Sequence, residues 1–450
     1  MEQQADKKTE RRTESMMLNV GPSHPAMHGV IRIITELEGE RVTDAEIEIG
    51  YLHRSFEKSC EQAGWARAFP YTDRLNYVSP LINNTGYALA VEKLFGVTTP
   101  ERCQYIRVIA CEISRMVDHL TCVAAAAMEL GAMTVFLYFM KAREWFYDLI
   151  ESLTGARITV SYVTIGGVKA DLPEGFAEKT RPVLKETLKV IGEVDKLLTR
   201  NRIFYDRMKG IGVLSRERSI AYGITGPLLR AAGEPYDVRK DIPYLVYDRF
   251  DFEVPVADEG DSFSRYMVRM EEMRQSVRII EQALDQIPGG AVAVDPNGRE
   301  MTGADMVDAA KKGRTTDYLG AKAKVDFTLD GTDEASARRV RLTGRREMTL
   351  PSREQCYGNI EGLITNFMLT MDNWGIKPPV GETYQAVEAP NGELGFYVVS
   401  DGTGRPMRCR CRGPCFFPMA ALHEMIIGGM VADIIPTFGS INMIAGELDR

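Results

Sequence analysis

The run Glu101-Arg-Cys-Gln-Tyr-Ile106-Arg-Val-Ile109-Ala-Cys-Glu-Ile113-Ser-Arg-Met116-Val-Asp-His-Leu120-Thr-Cys-Val123-Ala-Ala-Ala-Ala127-Met-Glu-Leu130-Gly131 decides the fold class. Its apolar residues recur at alternating steps of three and four, which gathers them on one side of an α-helix. No proline or glycine interrupts it before Gly131, so it predicts one long helix with a continuous buried stripe. A second stripe, Tyr266, Met270, Met273, Val277, Ile280, Leu284 and Ile287, ends at Pro288-Gly289-Gly290, residues that stop a helix. Its methionines read as packing. Helices of this length need partners for their stripes, so residues 81–289 read as a helical bundle. Leu120 to Met140 could be mistaken for a membrane span, but Glu129 lies near its middle. A carboxylate at that depth costs about 2–3 kcal/mol, which the alanine run Ala124 to Ala127 scarcely offsets. A buried soluble helix is the expectation.

Working outward, Val30 to Glu38 and Arg41 to Ile49 alternate as strands around Gly39-Glu40, a glycine-first pair suited to a tight hairpin turn. Antiparallel pairing would set His28 roughly opposite Tyr51, with His53 and Arg54 close by. Residues 1–15 are charged, lack the apolar segment of a secretory signal and read as a flexible tail. Residues 16–80 read as an N-terminal α+β region. Residues 290–350 turn charged and glycine-rich, with short alternating runs (Val325, Phe327, Leu329; Val340, Leu342), and read as a surface insertion carrying a small hairpin. Residues 351–450 mix strands such as Leu394 to Val399 with a helix near Met419 to Val431. The fold class expected is α+β, with a central long-helix bundle. Gly402-Thr403-Gly404 has no helix start behind it and reads as a turn.

A chain of 450 residues with 44% hydrophobic and 26% charged residues can bury a large core. Its net charge of −8 argues against nucleic acid as the main partner. The 8 cysteines are unevenly spaced and mostly inside apolar segments, which fits a reducing compartment better than a disulfide framework.

Two of the 5 histidines stand in Gly21-Pro22-Ser23-His24-Pro25-Ala26-Met27-His28-Gly29. Pro25 lacks an N–H and drives His24 out of the α region, so the pair does not share a helical face. No third Cys or His follows at ligand spacing, which disfavours a metal. The loop is then either a hydrogen-bonded structural element or a site using imidazole for its near-neutral pKa. Cys409-Arg-Cys411-Arg-Gly-Pro-Cys415 is the densest sulfur cluster. It has no evident fourth ligand, and alternation with arginine fits a strand whose cysteines face the core, with metal the second reading.

Several longer runs occur in a fixed order: His24-Pro-Ala-Met-His28, Gly50-Tyr-Leu-His53-Arg54-Ser-Phe-Glu57-Lys58, Tyr71-Thr-Asp73-Arg74-Leu-Asn76-Tyr77-Val-Ser79-Pro80, Tyr87-Ala-Leu-Ala-Val-Glu-Lys93, Glu271-Glu-Met-Arg-Gln-Ser276, Glu393-Leu-Gly-Phe-Tyr397 and the ending Gly446-Glu-Leu-Asp-Arg450. Together they resemble the 49-kDa (D-type) subunit of proton-pumping NADH:quinone oxidoreductase, respiratory complex I, over nearly the whole chain outside the insertion. That family is similar in turn to the large subunit of nickel-iron hydrogenases. The four cysteines holding nickel there fall here on Asn76, Ser79, Ile444 and Glu447, which cannot supply soft thiolate ligands. The resemblance implies an ancestral pocket emptied of metal and left as a cavity.

What the resemblance further implies is a quinone chamber. His28 and Tyr77 match the residues that bond the two quinone carbonyls and supply protons. Glu129, in Glu129-Leu-Gly-Ala132, stands where the family usually has an aspartate that partners the histidine. Arg54 and Arg74 match arginines near a [4Fe–4S] cluster that a neighbouring subunit holds. The family's histidine beside that cluster falls on Thr159, which has no proton to exchange, so a less pH-dependent, lower-potential cluster is expected, and of the two quinones the resemblance leaves open, menaquinone or ubiquinone, it points to a low-potential acceptor such as menaquinone. His24 and His53 support the loop, His119 reads as a core or interhelical residue, and His423 matches no role. The implied partners are subunits of the B type ([4Fe–4S]-bearing), the C type (30-kDa) and the membrane H type, at the cytoplasmic face of a bacterial inner membrane, with no metal in this chain. Three alternatives stand beside it: a related quinone-reducing complex with another electron donor, a hydrogenase subunit, disfavoured by the missing cysteines, and a non-catalytic scaffold whose pocket is vestigial.

Overall fold

A computed structural model describes residues 15–24, 29–294, 300–302, 353–358, 360–370 and 376–450. The strand β1 (Ser15–Val20) opens a three-stranded antiparallel sheet, β1-β2-β3, with β2 (Arg32–Glu38) central and β3 (Arg41–Glu48) beyond it. Glu38 pairs with Arg41 across Gly39-Glu40, and Gly39 takes the left-handed φ of +68° that this tight turn requires. The hairpin is thus the one expected, trimmed at its open end. The strand β1 is an addition to the expected elements. It begins at the end of the segment that reads as a tail, and Val20 is its one fully buried residue, so its own pattern carries little strand signal.

Short helices α1 (Phe56–Gln62) and α2 (Phe69–Thr72) lead to α3 (Pro80–Phe95), where Pro80 sits in the first turn and Gly96 terminates the helix at φ +64°. The long helix α4 (Glu101–Glu129) follows, then α5 (Met133–Thr154) after a break at Leu130–Ala132. The expected stripe of α4 is buried from Ile106 to Ala127. The rest of the helix departs from a one-sided pattern, because Arg107, Glu112, Arg115, Asp118 and His119 are buried as well. Among the described residues no helix is long and apolar enough to cross a membrane.

A small sheet, β4 (Val163–Thr164), β5 (Gly167–Val168), β6 (Ala291–Val294) and β7 (Glu300–Thr302), closes one end of the bundle. Gly167 is obligatory there, since a Cβ would lie 2.6 Å from the Ala293 Cα. All four residues of β6 are buried, so residues 291–294 belong to the core although composition assigns the segment from 290 on to a surface insertion. The runs Val325 to Leu329 and Val340 to Leu342 lie outside the described residues. Helices α6 (Phe176–Val194), α7 (Arg202–Met208), α8 (Arg216–Ala221), α9 (Pro227–Ala231), α10 (Val238–Asp241) and α11 (Ser262–Gln286) complete the middle of the chain. The second expected stripe is α11, packed against α4.

The C-terminal part adds the antiparallel sheet β10-β9-β8, made of β8 (Gly381–Ala389), β9 (Gly392–Ser400) and β10 (Arg408–Arg412). In β10 Cys409 and Cys411 face the core while Arg408 and Arg410 point outward, as the alternation implied. The helix expected near Met419 to Val431 is two helices, Phe416–Ile426 and Val431–Ile441, because Gly428 at φ +83° breaks the chain between them. One hydrophobic core joins α3–α6 and α11 to the β8–β10 sheet. A second joins the N-terminal sheet to the two C-terminal helices. The fold is α+β.

Candidate functional site

The segment Tyr71–Pro80 is shaped by its own side chains. Asn76 Oδ1 accepts the N–H groups of Val78 and Ser79 at 3.1 and 3.3 Å, an Asx-type turn, and Pro80 then starts α3. The Asn76 Nδ2 donates to Asp118 Oδ2 of α4 at 2.8 Å. On the other side of Asp118, Asn442 Nδ2 donates to Oδ1 at 2.6 Å, from a left-handed position (φ +61°) that ends the helix Val431–Ile441. Asn442 also bonds Asn391 Oδ1 at 2.6 Å, and the Cys415 N–H donates to Glu447 Oε1 at 2.8 Å. Tyr77, 41% exposed, caps this buried polar core. Its phenol pKa is pushed above the usual 10 by burial and by the negative potential of Asp118 and Cys415, so the hydroxyl keeps its proton through the physiological range.

The four positions matched to nickel-binding cysteines lie in this region as packed side chains: Asn76 and Glu447 Oε1 are hydrogen-bonded, whereas Ser79 Oγ and Glu447 Oε2 have no hydrogen-bond partner among the described residues. Asn76, Ser79 and Glu447 are fully buried and Ile444 is 6% exposed. Burial pushes the Glu447 carboxyl up to about 7. A side-chain amide, a hydroxyl, an isoleucine and a carboxyl stand here in place of thiolates. Two open clefts of about 630 and 420 Å³ lie elsewhere, one beside Tyr71, Ser161 and Lys169, the other beside His53, Arg410 and Asp449. Neither is lined by Tyr77 or the four matched positions. Among the described residues no group of three or more His, Cys, Asp or Glu side chains is placed to hold a metal ion.

The C-terminal residues gather the other candidates. A Cβ on Gly29, the residue following His28, would sit 3.0 Å from the Ala445 Cβ, and one on Gly446 would meet the Arg74 and Leu75 carbonyls at 2.6 Å. A Cβ on Gly439 would lie 2.7 Å from Glu129 Oε2. His28 itself lies outside the described residues. Gly446→Ala should therefore push the C-terminal helix Ala445–Asp449 off the Arg74–Leu75 backbone, costing about 1–3 kcal/mol. Urea denaturation checks this, and a wild-type midpoint would contradict the packing described.

Arg54 and Arg74 are brought together. The Arg54 guanidinium donates to the Arg74 carbonyl, and Arg74 Nη1 donates to Pro70 O at 2.5 Å and Asp73 Oδ1 at 3.0 Å. Burial and the neighbouring Arg74 lower the Arg54 pKa. Asp73 is buried, takes a weak 3.4 Å bond from Ser161 Oγ, and is pushed up to about 6 by burial against the opposing pull of Arg74. Thr159, two residues before Ser161, is exposed in a left-handed conformation (φ +55°), its Oγ1 donating to Ile158 O at 2.7 Å.

His53 Nδ1 lies 2.7 Å from the Asp449 carbonyl, and since a carbonyl only accepts, that nitrogen carries the proton. The Asp449 carboxylate takes the N–H groups of Gly50 and Leu52 at 2.9 and 2.7 Å, fixing the turn that carries His53 and Arg54. His24 is exposed. His119 is fully buried with Nε2 2.7 Å from Glu272 Oε2, an interhelical contact as expected, and His423 Nδ1 bonds Ala420 O within its own helix.

Residues 129–450 match the family described as "Respiratory-chain NADH dehydrogenase, 49 Kd subunit". The chain belongs to that family. Over 438 residues it is 49% identical to the first D-type subunit of the NADH-quinone oxidoreductase of Anaeromyxobacter dehalogenans (97% of this chain, 90% of the relative). Over 438 residues it is 47% identical to the corresponding D-type subunit of Myxococcus xanthus (97% and 93%). It is 44% identical over 433 residues to the C/D-type subunit of the NADH-quinone oxidoreductase of Bdellovibrio bacteriovorus (96% and 68%). As a 49-kDa-subunit chain it is part of the respiratory-chain NADH-quinone oxidoreductase complex. Sequence reasoning missed Asp118, Asn391 and Asn442, which build the floor under Tyr77 in this 49-kDa chain. The one signal was an Asp-His pair in the middle of a helix otherwise striped for burial.

Proposed function

We propose that this chain forms the wall of a quinone site, with Tyr77 and His28 as hydrogen-bond and proton donors to the two carbonyls. The observation that carries the reading is a half-exposed phenol with a raised pKa, set rigidly on the buried Asn76–Asp118–Asn442 network at the mouth of the ancestral metal position. Two-electron reduction turns weakly basic carbonyl oxygens into strongly basic oxyanions. A fixed O–H donor then stabilises product over reactant, and a phenol yields its proton to a base of that strength. In this reading Glu129, whose carboxylate lies against Gly439, charge-stabilises His28, and Gly29, the residue after His28, packs on Ala445. The apolar side chains Met133, Leu137 and Tyr138, exposed on the first turns of α5 just beyond Glu129, suit an isoprenoid tail or an apolar membrane subunit of the H type. The clustered guanidinium groups of Arg54 and Arg74 suit a negatively charged [4Fe–4S] neighbour of the B type. The joint C/D-type relative in Bdellovibrio bacteriovorus supports a C-type neighbour. The chain would sit peripherally at the cytoplasmic face of the inner membrane, and quinone reduction would be coupled to proton translocation there.

A photoreactive quinone analogue added to the assembled complex should label the segments around Tyr77 and Asn442–Gly446. Labelling confined to other chains would refute the assignment. Thr159 has no proton to exchange at neutral pH, so the potential of the neighbouring cluster should vary weakly with pH, any variation near pH 6 falling to Asp73. Redox titration of that cluster between pH 6 and 9 checks this. Thr159→His should steepen the dependence, and a steep wild-type slope would sink the menaquinone reading.

A further inference from the structure

The interior of the bundle holds a set of charges that the quinone reading does not use. Carboxylates come from α4 (Glu112, Asp118), from the turn before α10 (Asp237), from α11 (Glu272) and from β8 (Glu388). Facing them are the guanidinium groups of Arg115, Arg230, Arg239 and Arg269, together with the imidazole of His119. All are at most 1% exposed. Beyond this set, Arg265 bonds Ser440 Oγ and the Gly212 and Gly260 carbonyls with Asp261 as the carboxylate favouring its charge, Glu447 is opposed by Arg450, and Arg107 pairs with Glu92. With every acid and guanidinium ionised and the imidazole neutral, the set carries one uncompensated negative charge where water cannot reach it. An unpaired buried charge is costly, and taking up a proton removes it.

The geometry shows where a proton can sit. His119 Nε2 is 2.7 Å from Glu272 Oε2, Arg230 Nη2 is 2.7 Å from Glu272 Oε1, and Arg230 Nη1 is 2.9 Å from Glu388 Oε1. Arg230 thus bridges two carboxyl groups of unequal standing. Glu272 has the Arg230 Nε–H bond at 2.9 Å, the close Nη2 charge contact and the imidazole, whereas Glu388 has one guanidinium nitrogen and the 3.2 Å Val238 N–H, and it shares its surroundings with Asp237. Asp237 is itself held by three bonds from Arg239 of 2.7 to 3.0 Å.

We infer that the chain His119–Glu272–Arg230–Glu388 is a one-proton binding site, with the proton on the Glu388 carboxyl. Arg230 does not pass protons but couples the two ends electrostatically, and Asp118, adjacent to His119 on α4 and bonded by Asn76 and Asn442, links the site to the floor beneath Tyr77. The titration preferences agree with this placement. Burial, reinforced by Asp237, pushes Glu388 up to about 7. Burial keeps the His119 imidazole neutral against the pull of Glu272, and Arg230 holds Glu272 ionised despite its burial. Because the folded carboxyl holds its proton more tightly than the unfolded one, the stability it contributes is present at acid pH. That contribution declines as pH rises from the ordinary glutamate range through about 7, and is level above.

Infrared difference spectra of the assembled complex between pH 6 and 8.5 test the inference without reference to quinone. They are recorded in a Glu447→Gln background, which removes the other carboxyl titrating near 7. A protonated-carboxyl C=O band should disappear as pH rises, and Glu388→Gln should abolish its component centred near 7, leaving that of Asp73 near 6. The same substitution should flatten the fall of melting temperature between pH 5 and 7. No component titrating near 7 in the Glu447→Gln background, or one unchanged by Glu388→Gln, overturns the proposal. If Glu388→Gln fails to assemble, that component in the Glu447→Gln background decides it, together with its expected shift to higher pH in Arg230→Gln.

Discussion

Tyr77→Phe should lower the turnover of quinone reduction by the assembled complex about 10²- to 10³-fold, the range for losing one pre-set donor to a developing oxyanion. The substitution removes a single oxygen. Among the described residues the Tyr77 hydroxyl makes no hydrogen bond to protein, so assembly and melting temperature should stay at wild-type values. The loss should fall on kcat more than on KM, because the bond strengthens as charge builds on the carbonyl oxygen. His28→Ala should cause a loss of similar size, and the double variant should be little worse than either, as for groups that act on one headgroup. The sign of the phenol shift gives a further check. With its pKa above 10, Tyr77 stays protonated, so the wild-type rate should show no alkaline decline from this group below that pH. Unchanged turnover in both single variants would make the pocket vestigial and the chain a scaffold.

Arg230→Met should be the most destabilising substitution of a single charge. The guanidinium is fully buried and bonds Glu272, Glu388 and the Tyr236 carbonyl. Methionine fills part of the volume but leaves two carboxyl groups facing each other without a cation. Breaking a buried pair in this way costs about 3–5 kcal/mol, against far less for a solvated one. The natural control is Arg157, which reaches Glu144, Asp148 and Glu151 on the surface and whose replacement should leave the denaturation midpoint unmoved. At pH values where Glu388 is ionised, above its raised titration, adding Glu388→Gln to Arg230→Met should recover part of the loss, because that stranded carboxyl is then neutral by chemistry. Urea titration of the single and double variants measures both effects. A midpoint for Arg230→Met equal to wild type would show that the cluster contributes nothing to the fold.

Much of this architecture is legible in the sequence because it is local. The period of the stripes through Ile106–Ala127 and Tyr266–Leu284 encodes α4 and α11. Alternation around Gly39-Glu40 encodes the hairpin, and the spacing of Cys409 and Cys411 encodes an inward-facing strand edge. Tyr77, Arg54 and Arg74 stand out from their motifs alone. The departures have physical reasons as well. The strand β1 has a single fully buried residue and pairs only with β2, so nothing in its own pattern announces it. The helix expected near Met419 to Val431 runs through Gly428, whose left-handed φ is a property of the folded loop.

The sequence by itself determined the class, α+β around long helices, and the family, because both rest on periodicity and on ordered motifs that survive without coordinates. The tertiary structure alone decided the two arrangements that matter for chemistry. Asp118 is bonded by Asn76 and by Asn442, which is 324 positions further along the chain, and Glu388 is bonded by Arg230, 158 positions before it. A charged residue in a helix reads as solvated until the partner that cancels its desolvation is known. That partner is supplied by packing between distant segments, which no local pattern encodes.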